Sequence, residues 1–190
     1  MRRRGRLTSL GWRRPRRIQV RRCLVGCALG TLLFDRIVTL DAEIADLARE
    51  LRDCARHDDD AARLMTIPGV GLITAMALQT FAPPMESFRR GRGFAAWLGL
   101  VPHQHTTGGT LRLGKISKMG QRDHRRLLIT GAMAVVRHAV RRGVTTDPWL
   151  AGMLARKPKM LVAVALANRM ARIIRALMIR KESYRAPAAA

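Results

Sequence analysis

Leu64-Met65-Thr66-Ile67-Pro68-Gly69-Val70-Gly71-Leu72-Ile73-Thr74-Ala75 is the stretch on which the architecture turns. Pro68 lacks an N–H and its ring crowds the preceding turn, so a helix arriving through Leu64 cannot pass it. Gly69 and Gly71 give the backbone the freedom of a sharp corner. Asp60–Thr66 therefore reads as one short helix, and Leu72–Phe81, where helical spacing resumes, as another. Ala82-Pro83-Pro84 closes the second helix.

Upstream of this corner, Ile37, Leu40, Ile44, Leu47, Leu51 and Cys54 alternate spacings of three and four, with Asp41, Glu43, Asp46 and Glu50 on the other faces. That pattern predicts one long, coiled-coil-like amphipathic helix over 35–58. Its seam is too short to stand as a free coiled coil, so it packs on the rest of the chain or on a helix of a second subunit. Downstream, a short apolar helix is expected over Phe94–Leu98, closed by Gly99, then a loop or irregular hairpin at about 101–120. Leu127, Leu128, Ala132, Val135, Val136 and Ala139 mark a helix over 121–142 with Arg125, Arg126, Arg137 and Arg141 on a basic side. After a turn of helix at Trp149–Leu154, Pro158 opens a last helix, 159–181, with a wide apolar face of Leu161, Val164, Ala165, Met170, Ile173, Ile174 and Leu177. The fold class is mainly α. Its parts are an irregular Arg-rich tail at 1–34, the long helix, one helical domain over 59–184 and a short tail at 185–190.

Lys and Arg number 36 against 13 Asp and Glu, a formal charge of +23. A compact fold carries that excess best against a polyanion, so nucleic acid is the expected partner. Three cysteines, Cys23, Cys27 and Cys54, with no histidine at zinc-ligand spacing, read as reduced thiols, and no metal site is expected. The apolar run Cys23–Phe34 behind its arginines imitates a signal peptide, but it lacks a small-residue cleavage site and is too short to span a bilayer. The expected location is cytoplasmic, at the nucleoid, with no membrane partner.

Two places carry candidate chemistry. The Ile67-Pro68-Gly69-Val70-Gly71 corner looks like a helix-hairpin-helix, in which Gly69, Val70 and Gly71 bring backbone N–H groups to a phosphate. A plain corner between two core helices has the same signature. The second place is a series of blocks: Gly99-Leu100-Val101-Pro102, His105-Thr106-Thr107-Gly108-Gly109, Ile116-Ser117-Lys118-Met119-Gly120 and Arg125-Arg126-Leu127-Leu128. Arg89, Arg90 and Arg92 on one loop, with Arg112, Lys115 and Lys118 on another, flank the threonines in a way that suits converging phosphates; scattered solvated charge is the alternative. His103 and His105 have no nearby Cys or acid to complete a metal set, which favours phosphate-facing or hydrogen-bonded histidines.

These ordered blocks, with Ala165-Leu166-Ala167-Asn168-Arg169-Met170-Ala171-Arg172, resemble the C-terminal domain of the insertion sequence 110/116/902 transposases over about residues 33–184. The resemblance implies a DNA recombinase, working as a homo-oligomer or with intact transposase, on DNA and with a guide-like RNA encoded by its element. It implies an N-terminal RNase-H-like domain whose four acids bind a divalent metal such as Mg. Only about 35 residues precede the long helix here, with Asp35 their sole acid, so that domain and its metal are expected outside this chain, which would then not be catalytic alone. The resemblance also implies a serine nucleophile just before the Gly-Gly. This chain departs from it with Thr106 and Thr107, whose β-methyl groups crowd attack on phosphorus. Ser117 is the alternative nucleophile, although its place suits a turn or a phosphate contact. A non-enzymatic nucleic-acid-binding protein competing with the intact transposase is the other reading.

Overall fold

A computed structural model describes residues 24–107, 110–143 and 147–185. The chain is mainly helical: α1 (Leu24–Arg56), α2 (Asp59–Met65), α3 (Leu72–Phe81), a 3-10 turn (Met85–Ser87), α4 (Gly91–Trp97), β1 (Pro102–Thr107), β2 (Thr110–Ile116), α5 (Arg122–Arg142), α6 (Pro148–Arg156) and α7 (Lys159–Arg180). It divides into two compact units, Met1–Asp46 and Leu47–Ala190.

The described part of the first unit is the N-terminal portion of α1. The described helix already includes Leu24, where one was expected only from about 35, so residues 24–34, expected as part of an irregular tail, are helical. Good helix formers such as Ala28, Leu29, Leu32 and Leu33 outweigh the cost of Gly26 and Gly30, and no proline intervenes. Leu29, Leu32, Leu33, Phe34, Ile37, Leu40 and Ile44 are all exposed.

In the second unit the last turns of α1 bury Ala55 and half-bury Ala48 and Leu51, while Cys54, placed on the seam by its spacing, is exposed. Asp58 then caps α2, accepting from the N–H groups of Asp60 and Ala61 at 2.8 and 3.1 Å. Its carboxylate also accepts from Gln79 Nε2 at 3.0 and 3.1 Å, which ties α2 to α3.

The core is the packing of α5 on α7, with α4, α2 and α6 also set against α7. Leu128, Ala132, Val136 and Ala139 of α5 meet a buried face of Val162, Ala163, Leu166, Ala167, Met170, Ala171 and Ile174 on α7. That face is rotated from the expected one: Leu161 is 51% exposed, and alanines take the inward positions. Small residues let two long helices approach closely, so Ala163, Ala167 and Ala171 bury better here than the bulkier apolar neighbours would. Gly143, at φ +67°, ends α5 in the left-handed conformation open to glycine. The region at 101–120, expected as a loop or an irregular hairpin, is an antiparallel hairpin, registered Gln104↔Leu113, His105↔Arg112, Thr106↔Leu111 and Thr107↔Thr110, with an irregularity between Pro102 and Gln104.

Candidate nucleic-acid interface

The root of the hairpin is built from four of the sequence blocks. Leu98 and Leu100 are buried, and Gly99 between them turns the chain at φ +68°. Ser117 N–H donates to Val101 O at 2.9 Å, Lys118 N–H to Gly99 O at 3.1 Å and Gln121 N–H to Trp97 O at 3.2 Å. Arg125 Nη1 donates to Leu98 O at 3.0 Å, and Asn168 Nδ2 of α7 to Leu100 O at 3.0 Å. Segments far apart in sequence thus grip one root. A side chain at Gly120 would overlap the Trp97 carbonyl, and Lys118 accepts φ +54°, a conformation costing a non-glycine residue of order 1 kcal/mol.

From this root the strands carry the candidate chemistry outward. Thr106 and Thr107 lie at the end of β1, opposite Leu111 and Thr110, on a strand and not in the turn itself. Gly108 and Gly109 lie outside the described residues. Arg112, Lys115 and Lys118 are exposed, whereas Ser117 is half-buried within the grip. His103 and His105 are exposed, their ring centroids 6.2 Å apart. Gly114 makes room for the His105 ring, since a Cβ there would stand 3.1 Å from His105 Nε2.

Arg89 and Arg90 are exposed on the loop into α4, whereas Arg92, expected on the same loop, is exposed in the first turn of α4, which begins at Gly91. Arg175 of α7, which spacing alone does not single out, fixes that loop by donating through Nε and Nη2 to Phe88 O at 3.1 and 2.6 Å, and through Nη2 to Arg89 O at 3.1 Å. Beneath it Phe88, Phe94 and Trp97 form an aromatic cluster that His124 joins, 5.5 Å from Trp97. His124 is buried and lies 3.1 Å through Nε2 from Ala77 O, a distance that makes Nε2–H the donor to that carbonyl. Arg126 is exposed on α5; Arg125 beside it is half-buried and already spent on the hairpin root.

The glycine corner separates into two functions. Ile67 and Val70 are in the core. Gly69, at φ +88°, faces α5: a Cβ would stand 2.8 Å from Gly131 O and 2.9 Å from Val135 Cγ2. Of the three candidates in this turn, Gly71 alone opens outward, as the N-cap of α3 with no capping side chain and nothing within 4 Å of an added Cβ. The corner's inward half is therefore a packing device, and an anion could approach only at Gly71 and the first turn of α3.

Among the described residues no three His, Cys, Asp or Glu side chains come together in a way that would hold a metal ion. The divalent metal that the resemblance implies has no cradle there, and no chemical step is assigned to it. No described helix is long and apolar enough to cross a membrane.

A model of the Transposase IS116/IS110/IS902 family matches residues 61–146. The chain is 49% identical over 153 residues to a "Probable family 20 transposase" of Pseudomonas aeruginosa, covering 80% of this chain and 45% of the relative. It is 44% identical over 148 residues to "Putative transposase y4pF/y4sB" of Sinorhizobium fredii, covering 77% and 38%. It is 38% identical over 153 residues to "Transposase for insertion sequence element IS1111A" of Coxiella burnetii, covering 80% and 42%. The chain spans less than half the length of these relatives.

Proposed function

We propose that this chain, whose residues 61–146 match the model of the IS116/IS110/IS902 transposase family, serves DNA transposition by holding nucleic acid through its phosphates around the β1–β2 hairpin. The observation that carries this reading is the gripped root. It fixes the Thr106-Thr107 end of β1 to the same hairpin as Arg112 and Lys115, with Lys118 at its base, all three exposed. Arg89 and Arg90 on the loop into α4, Arg92 in its first turn and Arg126 on α5 add exposed charge. Gly71 and the first turn of α3 offer backbone N–H groups to a further phosphate, the outward half of a helix-hairpin-helix.

At the hairpin, Thr106 or Thr107 stands where the family resemblance puts a nucleophile. Its hydroxyl would form the new O–P bond while the bond from phosphorus to the strand's leaving sugar oxygen breaks, and that oxygen takes up a proton. The described residues gather no carboxylate cluster that could hold a metal ion. A non-enzymatic role, binding DNA in competition with an intact transposase, is the second reading, and the threonines in place of serine favour it. The element's guide-like RNA and further copies of the chain or of intact transposase complete the proposed set of partners.

Salt titration of duplex binding tests the main reading. The logarithm of the association constant should fall steeply and linearly with the logarithm of salt, by roughly 0.9 per phosphate contact. Lys115→Ala combined with Lys118→Ala should flatten that slope by about 2. Arg125→Ala should leave the slope alone and cost about 2 kcal/mol of stability, because its bond to Leu98 O is internal. A flat dependence for the parent chain overturns the proposal.

A further inference from the structure

Between α6 and α7 lies an open cleft of about 500 Å³ lined by Trp149, Arg169, Arg172, Ile173 and Ala176. Asp147 caps α6 by accepting from the Trp149 N–H at 3.0 Å, and its other oxygen accepts from Arg169 Nη1 of α7 at 2.7 Å. The Arg169 guanidinium carbon stands 4.8 Å from the Trp149 ring centroid. An ion pair and a cation–π contact therefore hold the indole in one setting, yet the residue remains 37% exposed. Asp147 answers the charge of Arg169. Arg172, exposed about one turn further along α7, has no ion-pair partner among the described residues.

An indole left in water costs free energy, and one pinned by its neighbours cannot turn away to hide. Ile173 and Ala176 add apolar wall beside it. A fixed aromatic ring, an apolar wall and one unmatched guanidinium select a flat ring that carries a phosphate. Bases inside a duplex cannot present a face to such a cleft, because both faces are stacked. The basic loop adjoins the same helix: a Cβ on Gly91 would stand 3.1 Å from Arg172 Cα, so Arg89, Arg90 and Arg92 belong to a segment seated on α7 near the cleft.

The geometry points to a stacking site for one unpaired nucleotide, of RNA or of single-stranded DNA, with its base against Trp149 and its phosphate at Arg172. Such a site rests on the proposal above that the chain binds nucleic acid.

The test irradiates the full chain with short single strands carrying one 5-iodouracil, ribose in one arm and deoxyribose in the other, and maps the crosslinks by mass spectrometry. The crosslink should fall on Trp149. Trp149→Leu should weaken single-strand binding about tenfold, and Trp149→Phe should keep most of it. Affinity for a blunt duplex should hold in both variants, which also reports that they fold. Arg172→Gln should weaken single-strand binding and flatten its salt slope by roughly one contact. The tighter arm identifies the source as RNA or DNA. If duplex binding persists, no crosslink maps to Trp149 and Trp149→Leu leaves single-strand affinity unchanged, the stacking site is overturned while the proposed function stands. If the parent chain binds neither form, both fall.

Discussion

A methyl group on Gly131 would overlap the carbonyl oxygen of Gly69, so α5 and the Pro68 corner touch backbone to backbone. Gly131→Ala should therefore cost about 3 kcal/mol in chemical denaturation, through forced separation of the two segments. Gly71 should respond in the opposite sense. Gly71→Asp supplies a capping carboxylate at the start of α3 and should raise stability by about 0.5 kcal/mol. It should lower duplex affinity, because the new charge occupies the N–H groups offered to phosphate; unchanged affinity in a stabilised variant would remove α3 from the interface. The sequence identifies both glycines of the corner as turn residues but cannot distinguish their directions. Gly69 faces inward only because α5 crosses it more than 60 positions later, and that crossing has no local signature. Arg125 is similar: it reads as one more surface charge, and its bond to Leu98 O depends on a corner distant in sequence.

The helices are the most legible elements, since periodicity, Pro68, Gly99, Gly143 and Pro158 mark nearly all their ends. What periodicity does not supply is which of several apolar stripes faces in. On α7 it favours the bulkier residues, whereas the buried face includes Ala163, Ala167 and Ala171 beside Val162, Leu166, Met170 and Ile174. The hairpin is only half legible, because its register comes from the hydrogen bonds at its root and not from alternation along β1, where Pro102, His103, Gln104 and His105 show none. On α1, Ile37, Leu40 and Ile44 form an exposed apolar line, and Leu47 in the second unit is also exposed. We propose that this line pairs with the same helix of a second copy or of intact transposase. Leu47→Asp should then shift the sedimentation-equilibrium mass toward the monomer, whereas a monomeric mass for parent and variant alike would count against helix pairing.

Across the whole molecule the charge is segregated. Residues 36–60 hold four Arg and eight acids, and residues 61–190 hold 22 bases and four acids. Most of the basic excess outside the N-terminal arginines thus falls on the part that bears the hairpin, the basic loop and the α6–α7 cleft. Chemistry should require more than this chain. With the acidic N-terminal domain that the family resemblance implies and divalent metal supplied in trans, Thr106→Ser or Thr107→Ser should increase covalent protein–DNA adduct on a denaturing gel, because a primary hydroxyl attacks phosphorus with less crowding. Adduct formed by the unaided chain and surviving Thr106→Ala with Thr107→Ala would show that the nucleophile lies elsewhere. The gripped root has a mechanical corollary. β1 extends six residues from Pro102, roughly 20 Å at strand rise, and is held at one end like a cantilever. A tilt of about 5° at its anchorage sweeps the free end through roughly 2 Å, enough by itself to spoil an in-line approach to phosphorus. Gly120 and Asn168, which close the root, thereby set where the Thr106-Thr107 end lies, roughly 20 Å away by strand rise.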